Sequence, residues 1–88
     1  MSLLKEAEKE KERMRQVIDN LKVKGKDKKA KEFYDMIRNY FFDGCFFLEK
    51  GKEVEAFEAF IISWAYVDAG LKLRFFQVPD SQKKWFTA

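Results

Sequence analysis

Eighty-eight residues with a net charge of +3 and a charged fraction of 38% bound the chain to one small domain with a marginal core, and its longest uncharged runs, such as 59–67, fall far short of the roughly 20 residues a membrane span needs. With no histidine the commonest general base and metal ligand is missing, and a single cysteine, Cys45, excludes an internal disulfide and thiolate zinc sites. No metal ligand set and no cofactor motif is found, and enzymatic function is not expected.

The fifteen aromatic residues all lie after position 32, so the chain divides into a charged arm and an aromatic block. Residues 1–32 carry eleven Lys/Arg against seven Asp/Glu, and residues 33–88 seven against eight. From Leu3 to Leu21 the apolar residues Leu3, Leu4, Ala7, Met14, Val17, Ile18 and Leu21 fall on one stripe at helical spacing, with Ser2 as N-cap. Glu10 interrupts that stripe, so the helix is expected to pack on something larger rather than form a free coiled coil.

Gly25 then stops the pattern and Asp27 caps a second helix, 28–50. Its main face is Ala30, Phe33, Tyr34, Ile37, Phe41, Gly44, Cys45 and Leu48. After Gly51 a third helix is predicted over 53–76, with Ala56, Phe57, Phe60, Ile61, Trp64, Val67 and Leu71 inward. A second apolar face carries Ile62, Tyr66, Leu73 and Phe76. Pro79 halts continuation. The loop at 51–52 forces an antiparallel hairpin. Within it, Gly44 is expected level with Glu58 and Ala59, and Gly70 with Glu32 and Phe33, as points of close helix approach. The expected fold is all-α, an up-and-down three-helix bundle with helices 3–21, 28–50 and 53–76. Residues 1–22 are its charged helix, 28–76 its aromatic hairpin, and 77–88 a short tail in which Ser81 caps one turn.

Three groups of residues are candidates for function. Asp68 falls inside an apolar face, where a carboxylate needs partners. Tyr34, Arg38 or a lysine of the first helix is the expected partner, and a carboxylate site with Asp35 or Asp43, holding a cation, is the chemical alternative. Phe42 and Phe46, one turn apart and about 100–140° off the main face, form a candidate partner surface unless the first helix covers them. Trp85 and Phe86 in the tail either fold back or serve as an anchor. Lys22, Lys24, Lys26, Lys28, Lys29 and Lys31 put six lysines within ten residues, a candidate polyanion contact. No arginine or aromatic interleaves there. Cys45, in an apolar stretch, is expected to be buried and inert.

The stretches Tyr40-Phe41-Phe42-Asp43, Phe47-Leu48-Glu49-Lys50-Gly51, Ala56-Phe57-Glu58-Ala59 and Trp64-Ala65-Tyr66-Val67-Asp68-Ala69-Gly70-Leu71-Lys72-Leu73 resemble the short archaeal proteins grouped as domain of unknown function 357. The resemblance covers residues 30–78. It implies an archaeal cytoplasmic protein with a three-helix bundle, and it implies no activity. The expected role is a non-catalytic protein-interaction module, with a protein partner or a second copy as ligand and no membrane partner. The alternative is a nucleic-acid-binding accessory protein working through the lysine cluster.

Overall fold

The computed structural model describes residues 2–87. Three long helices, α1 (Leu3–Asn20), α2 (Lys28–Glu49) and α3 (Glu53–Lys72), carry the fold. A minimal antiparallel sheet of β1 (Lys22–Val23) and β2 (Phe76–Gln77), and a one-turn helix α4 (Asp80–Lys83), complete it.

α1 begins where Ser2 accepts a hydrogen bond from the Lys5 backbone N–H at 3.3 Å. Its stripe packs from Ala7 onward, with Ala7, Met14 and Val17 buried, whereas Leu3 and Leu4 in the first turn are exposed. Asp27 caps α2 by accepting from the Lys29 N–H at 2.8 Å. α2 then ends in a two-bond turn: the Lys52 N–H donates to the Phe47 carbonyl at 2.9 Å, and the Gly51 N–H to the Leu48 carbonyl at 3.1 Å. This Schellman closure needs a left-handed residue, and Gly51 supplies it at φ +73°.

Two buried clusters fix the helix directions. At one end Ala7, Ala56 and Phe60 pack together with Phe41, Cys45 and Leu48. At the other, Met14, Val17 and Leu21 meet Ile37, Val67, Phe76, Val78 and Phe86. The start of α1 therefore lies beside the start of α3 and the end of α2, which makes α1 and α3 parallel and α2 antiparallel to both. α1 rests more on α3 than on α2. The up-and-down arrangement is thus built chiefly on α2–α3 packing, with α1 laid across it.

The last quarter of the chain departs from the expected helix and loose tail. α3 stops at Lys72 rather than at 76. Arg74 takes the left-handed conformation at φ 62°, and the Phe75 and Arg74 N–H groups close a second Schellman turn onto Gly70 (2.8 Å) and Leu71 (3.1 Å). The chain reverses there, so Phe76 and Gln77 pair with Val23 and Lys22. The predicted 22–27 loop thereby contains a strand. Ser81 does not cap the tail's turn; α4 starts after Pro79 and has no side-chain cap.

Two inward assignments also change. Ile61 is 41% exposed, and the buried position between it and Trp64 is Ser63, whose hydroxyl donates to the Ile37 carbonyl at 2.7 Å. That bond carries the polar group into the hairpin core. Gly44 is a point of close approach, with the buried Phe60 ring against its Cα. Gly70 faces the Phe76 ring of β2 rather than α2, because the reversal at Arg74 folds Phe76 back over α3.

Candidate functional site

Tyr34, Arg38, Phe42, Phe46 and Lys50 follow each other at four-residue steps along α2. Such a row turns by about 40° per step around the helix. It therefore begins beside α1 at Tyr34 and faces solvent at its far end. Helix α1 does not cover it: Phe42 and Phe46 are each 55% exposed. The Arg38 guanidinium lies between the rings of Tyr34 and Phe42, 5.9 and 5.5 Å from their centroids. The Lys50 ammonium lies 5.5 Å from the Phe46 ring. Each exposed phenylalanine thus carries a cation at cation–π distance on its own helix.

A groove of about 440 Å³ runs between this ridge and α1, with Arg15, Ile18 and Asp19 forming the α1 wall and Tyr34, Arg38, Phe41 and Phe42 the α2 wall. Tyr34 also lines a second recess of about 400 Å³ bounded by Val23, Lys26, Lys28 and Lys31. Tyr34 is the one residue that both recesses share. The α1 wall was not singled out from sequence, although Ile18 sits at the edge of the α1 stripe and marks the side that faces α2.

All six clustered lysines are exposed, yet they do not form one patch. Lys26, Lys28 and Lys31 border the recess at Tyr34. Lys24 borders a different recess with Arg74 and Lys83, and Lys22 one with Asn20 and Pro79. In β1, Val23 points to the opposite face from Lys22 and Lys24, and it is Val23 that lines the Tyr34 recess with Lys26, Lys28 and Lys31. The fold also supplies what the linear cluster lacks, because Tyr34 and Arg38 follow directly on from Lys31. Among the described residues the side-chain ion pairs are Arg13–Glu10, Arg15–Glu12 and Lys83–Asp80. Arg38, Lys50 and the six lysines are in none of them.

Asp68 does not meet Tyr34 or Arg38. It lies on the edge of α3 under the tail, where its carboxylate accepts hydrogen bonds from the Thr87 N–H at 3.2 Å and hydroxyl at 2.6 Å. Tyr34 and Arg38 lie on the edge of α2 that faces α1. Asp43 is elsewhere again, beside Glu55, Glu58, Tyr40, Phe47 and Ile62. Among the described residues no three carboxylates or thiols gather as a metal would require.

Trp85 and Phe86 are not a free anchor. Phe86 is buried and stacks on Trp64, with ring centroids 4.3 Å apart and planes inclined by 23°. Trp85 is half-buried, and the Arg13 guanidinium sits between the two indoles, 4.8 Å from Trp64 and 5.8 Å from Trp85. Burial of the aromatic tip and the bonds to Asp68 hold the tail down. Cys45 is half-buried between α2 and α1, and burial pushes its thiol above the ordinary value of 9.0. Lys11 and Arg15 oppose that shift and Glu49 adds to it.

Among the described residues no helix is long and apolar enough to cross a membrane. Comparison with curated proteins finds no match. Among solved structures the chain is similar to the crystal structure of a protein from Archaeoglobus fulgidus, with a TM-score of 0.76 and 28% identity, over 88% of this chain and 93% of that one. That protein is itself assigned to the DUF357 family, and its archaeal source is consistent with the origin implied by the residue resemblance. The model of the family described as protein of unknown function, DUF357, matches residues 4–76, which extends the likeness through α1, and the chain belongs to this family.

Proposed function

We propose that the chain is a non-catalytic protein-interaction module whose docking surface is the α2 ridge at Phe42 and Phe46. The observation that carries this reading is the exposure of two phenylalanines one turn apart, where every other aromatic of the described residues is buried or half-buried. Burying such a ring contributes about 1.5–3 kcal/mol. A small domain that leaves two of them open beside a groove keeps that free energy available for a partner. Catalysis is disfavoured by composition, since Cys45 is the sole thiol, is held protonated, and has no histidine to activate it.

The test is affinity isolation of the tagged chain from its native source beside a Phe42→Asp/Phe46→Asp variant. A protein recovered near stoichiometry with the wild type and lost with the variant, at unchanged helicity, is the expected result. Equal recovery by both chains overturns the assignment of this surface.

A further inference from the structure

We infer that the partner of this surface presents an acidic amphipathic helix, laid in the groove between α1 and α2 with its apolar stripe on Ile18, Phe41 and Phe42. The inference rests on the protein-interaction reading above and adds the chemistry of the ligand. Charge complementarity carries it. The groove and the recess that shares Tyr34 with it are lined by five cations, Arg15, Arg38, Lys26, Lys28 and Lys31, against two carboxylates, Asp19 and Asp27. Asp27 is occupied as the N-cap of α2, which leaves Asp19 alone to balance them. Among the described residues only Arg15 of the five cations is in an ion pair, with Glu12 at 3.2 Å on an exposed flank. Such exposed pairs contribute little and exchange readily.

Shape agrees with charge. The ridge from Tyr34 to Lys50 is four helical turns, roughly 24 Å long. Its four-residue steps are the ridges that a second helix packs into. Carboxylates flanking the partner's apolar stripe would then meet Arg38 and Arg15 beside Phe42, with Lys26, Lys28 and Lys31 beyond Tyr34. A nucleic acid fits less well, because β1 splits the lysine cluster between separate recesses and the apolar floor at Ile18 and Phe41 offers phosphates nothing.

The experiment is display selection of random peptides of roughly sixteen residues, a length of about four turns. Selection on the wild-type chain is followed by counter-selection on Phe42→Asp/Phe46→Asp. Expected are sequences with apolar residues at three- and four-residue spacing flanked by Asp and Glu. Their binding should weaken with salt and fall about tenfold or more with Arg38→Glu. Enrichment of neutral or basic sequences overturns the acidic partner while leaving the docking surface standing. Failure of any sequence to distinguish wild type from the double variant overturns both. Two further arms name the other occupants. Displacement of the selected peptide by oligothymidylate at lower concentration than by free peptide assigns the groove to single-stranded nucleic acid. Concentration-dependent self-association in sedimentation, abolished by Phe42→Asp/Phe46→Asp, assigns it to a second copy. Either result overturns the inference.

Discussion

The Phe60 ring lies against the backbone of Gly44, in the space that a Cβ on residue 44 would fill. Phe60 is fully buried, so it has no free volume into which to retreat. Overpacking of this kind costs about 1–3 kcal/mol, whereas alanine gains about 1 kcal/mol over glycine in helix propensity. Gly44→Ala is therefore expected to lose up to about 2 kcal/mol net, read as a lower urea midpoint. Combining it with Phe60→Leu should recover part of the loss. Strict additivity of the two changes would show that the ring and the glycine are not coupled.

Arg74 supports the opposite expectation. It holds φ 62° at the end of α3 in the same two-bond closure that Gly51 makes at the end of α2. A side chain in the left-handed region costs about 1–2 kcal/mol, and glycine gives part of that back through its more flexible unfolded state. Arg74→Gly should stabilise by about 0.5–1 kcal/mol, a rise in Tm of about 4 °C. Gly51→Ala should destabilise by a similar amount. An unchanged or lower Tm for Arg74→Gly would mean that the guanidinium stem packs on the recess beside Lys24 strongly enough to offset the strain.

These two turns show what sequence reveals and what it hides. Gly51 announces the end of α2 because glycine is the usual left-handed residue there, whereas Arg74 gives no such signal, and the spacing carried α3 four residues too far. β1 and β2 are two residues each, too short to generate any alternation, and exist because the reversal at Arg74 brings Phe76 beside Val23. The α2 face was legible since every fourth or third residue is apolar, and the same spacing placed Phe42 and Phe46 off it. The Asp68–Thr87 bonds were not legible, because they depend on a tail path that no periodicity encodes. Ser63 was missed because its burial depends on a carbonyl of another helix.

Cys45 gives a pH dependence of known sign. Burial disfavours the thiolate, so the folded-state pKa lies above the unfolded one, near 9.0. The folded state then binds the proton more tightly, and this contribution is fully present below the unfolded value. It is lost as pH rises through the folded value. Urea midpoints should therefore fall on the alkaline side of about pH 9, and Cys45→Ala should flatten that part of the fall. Thiol labelling at neutral pH should be slow in the native chain and fast in denaturant. Removing Lys11, whose charge opposes the shift, should slow native labelling further. A native labelling rate equal to that of the denatured chain would contradict the burial argument.

Phe86 and Phe42 are the same residue type in opposite circumstances, which makes them a controlled pair. Phe86 stacks on Trp64 and is 9% exposed, whereas Phe42 is 55% exposed with only its own helix and α1 beside it. Truncating a core phenylalanine to alanine costs about 3–5 kcal/mol. Phe86 lies near the chain end, so its cost is capped by the free energy of detaching the tail, and Phe86→Ala is expected to lose about 2–3 kcal/mol. Detachment would also release Trp85 and the Asp68–Thr87 bonds, giving a red shift in tryptophan emission. Phe42→Ala should change stability by no more than about 0.5 kcal/mol, as surface substitutions do. The two variants should separate in the opposite order for partner binding: Phe42→Ala loses it, and Phe86→Ala retains it at temperatures where the bundle is folded. Equal destabilisation by the two would mean that Phe42 is packed against α1 in solution, and would remove the physical basis for a docking surface on α2.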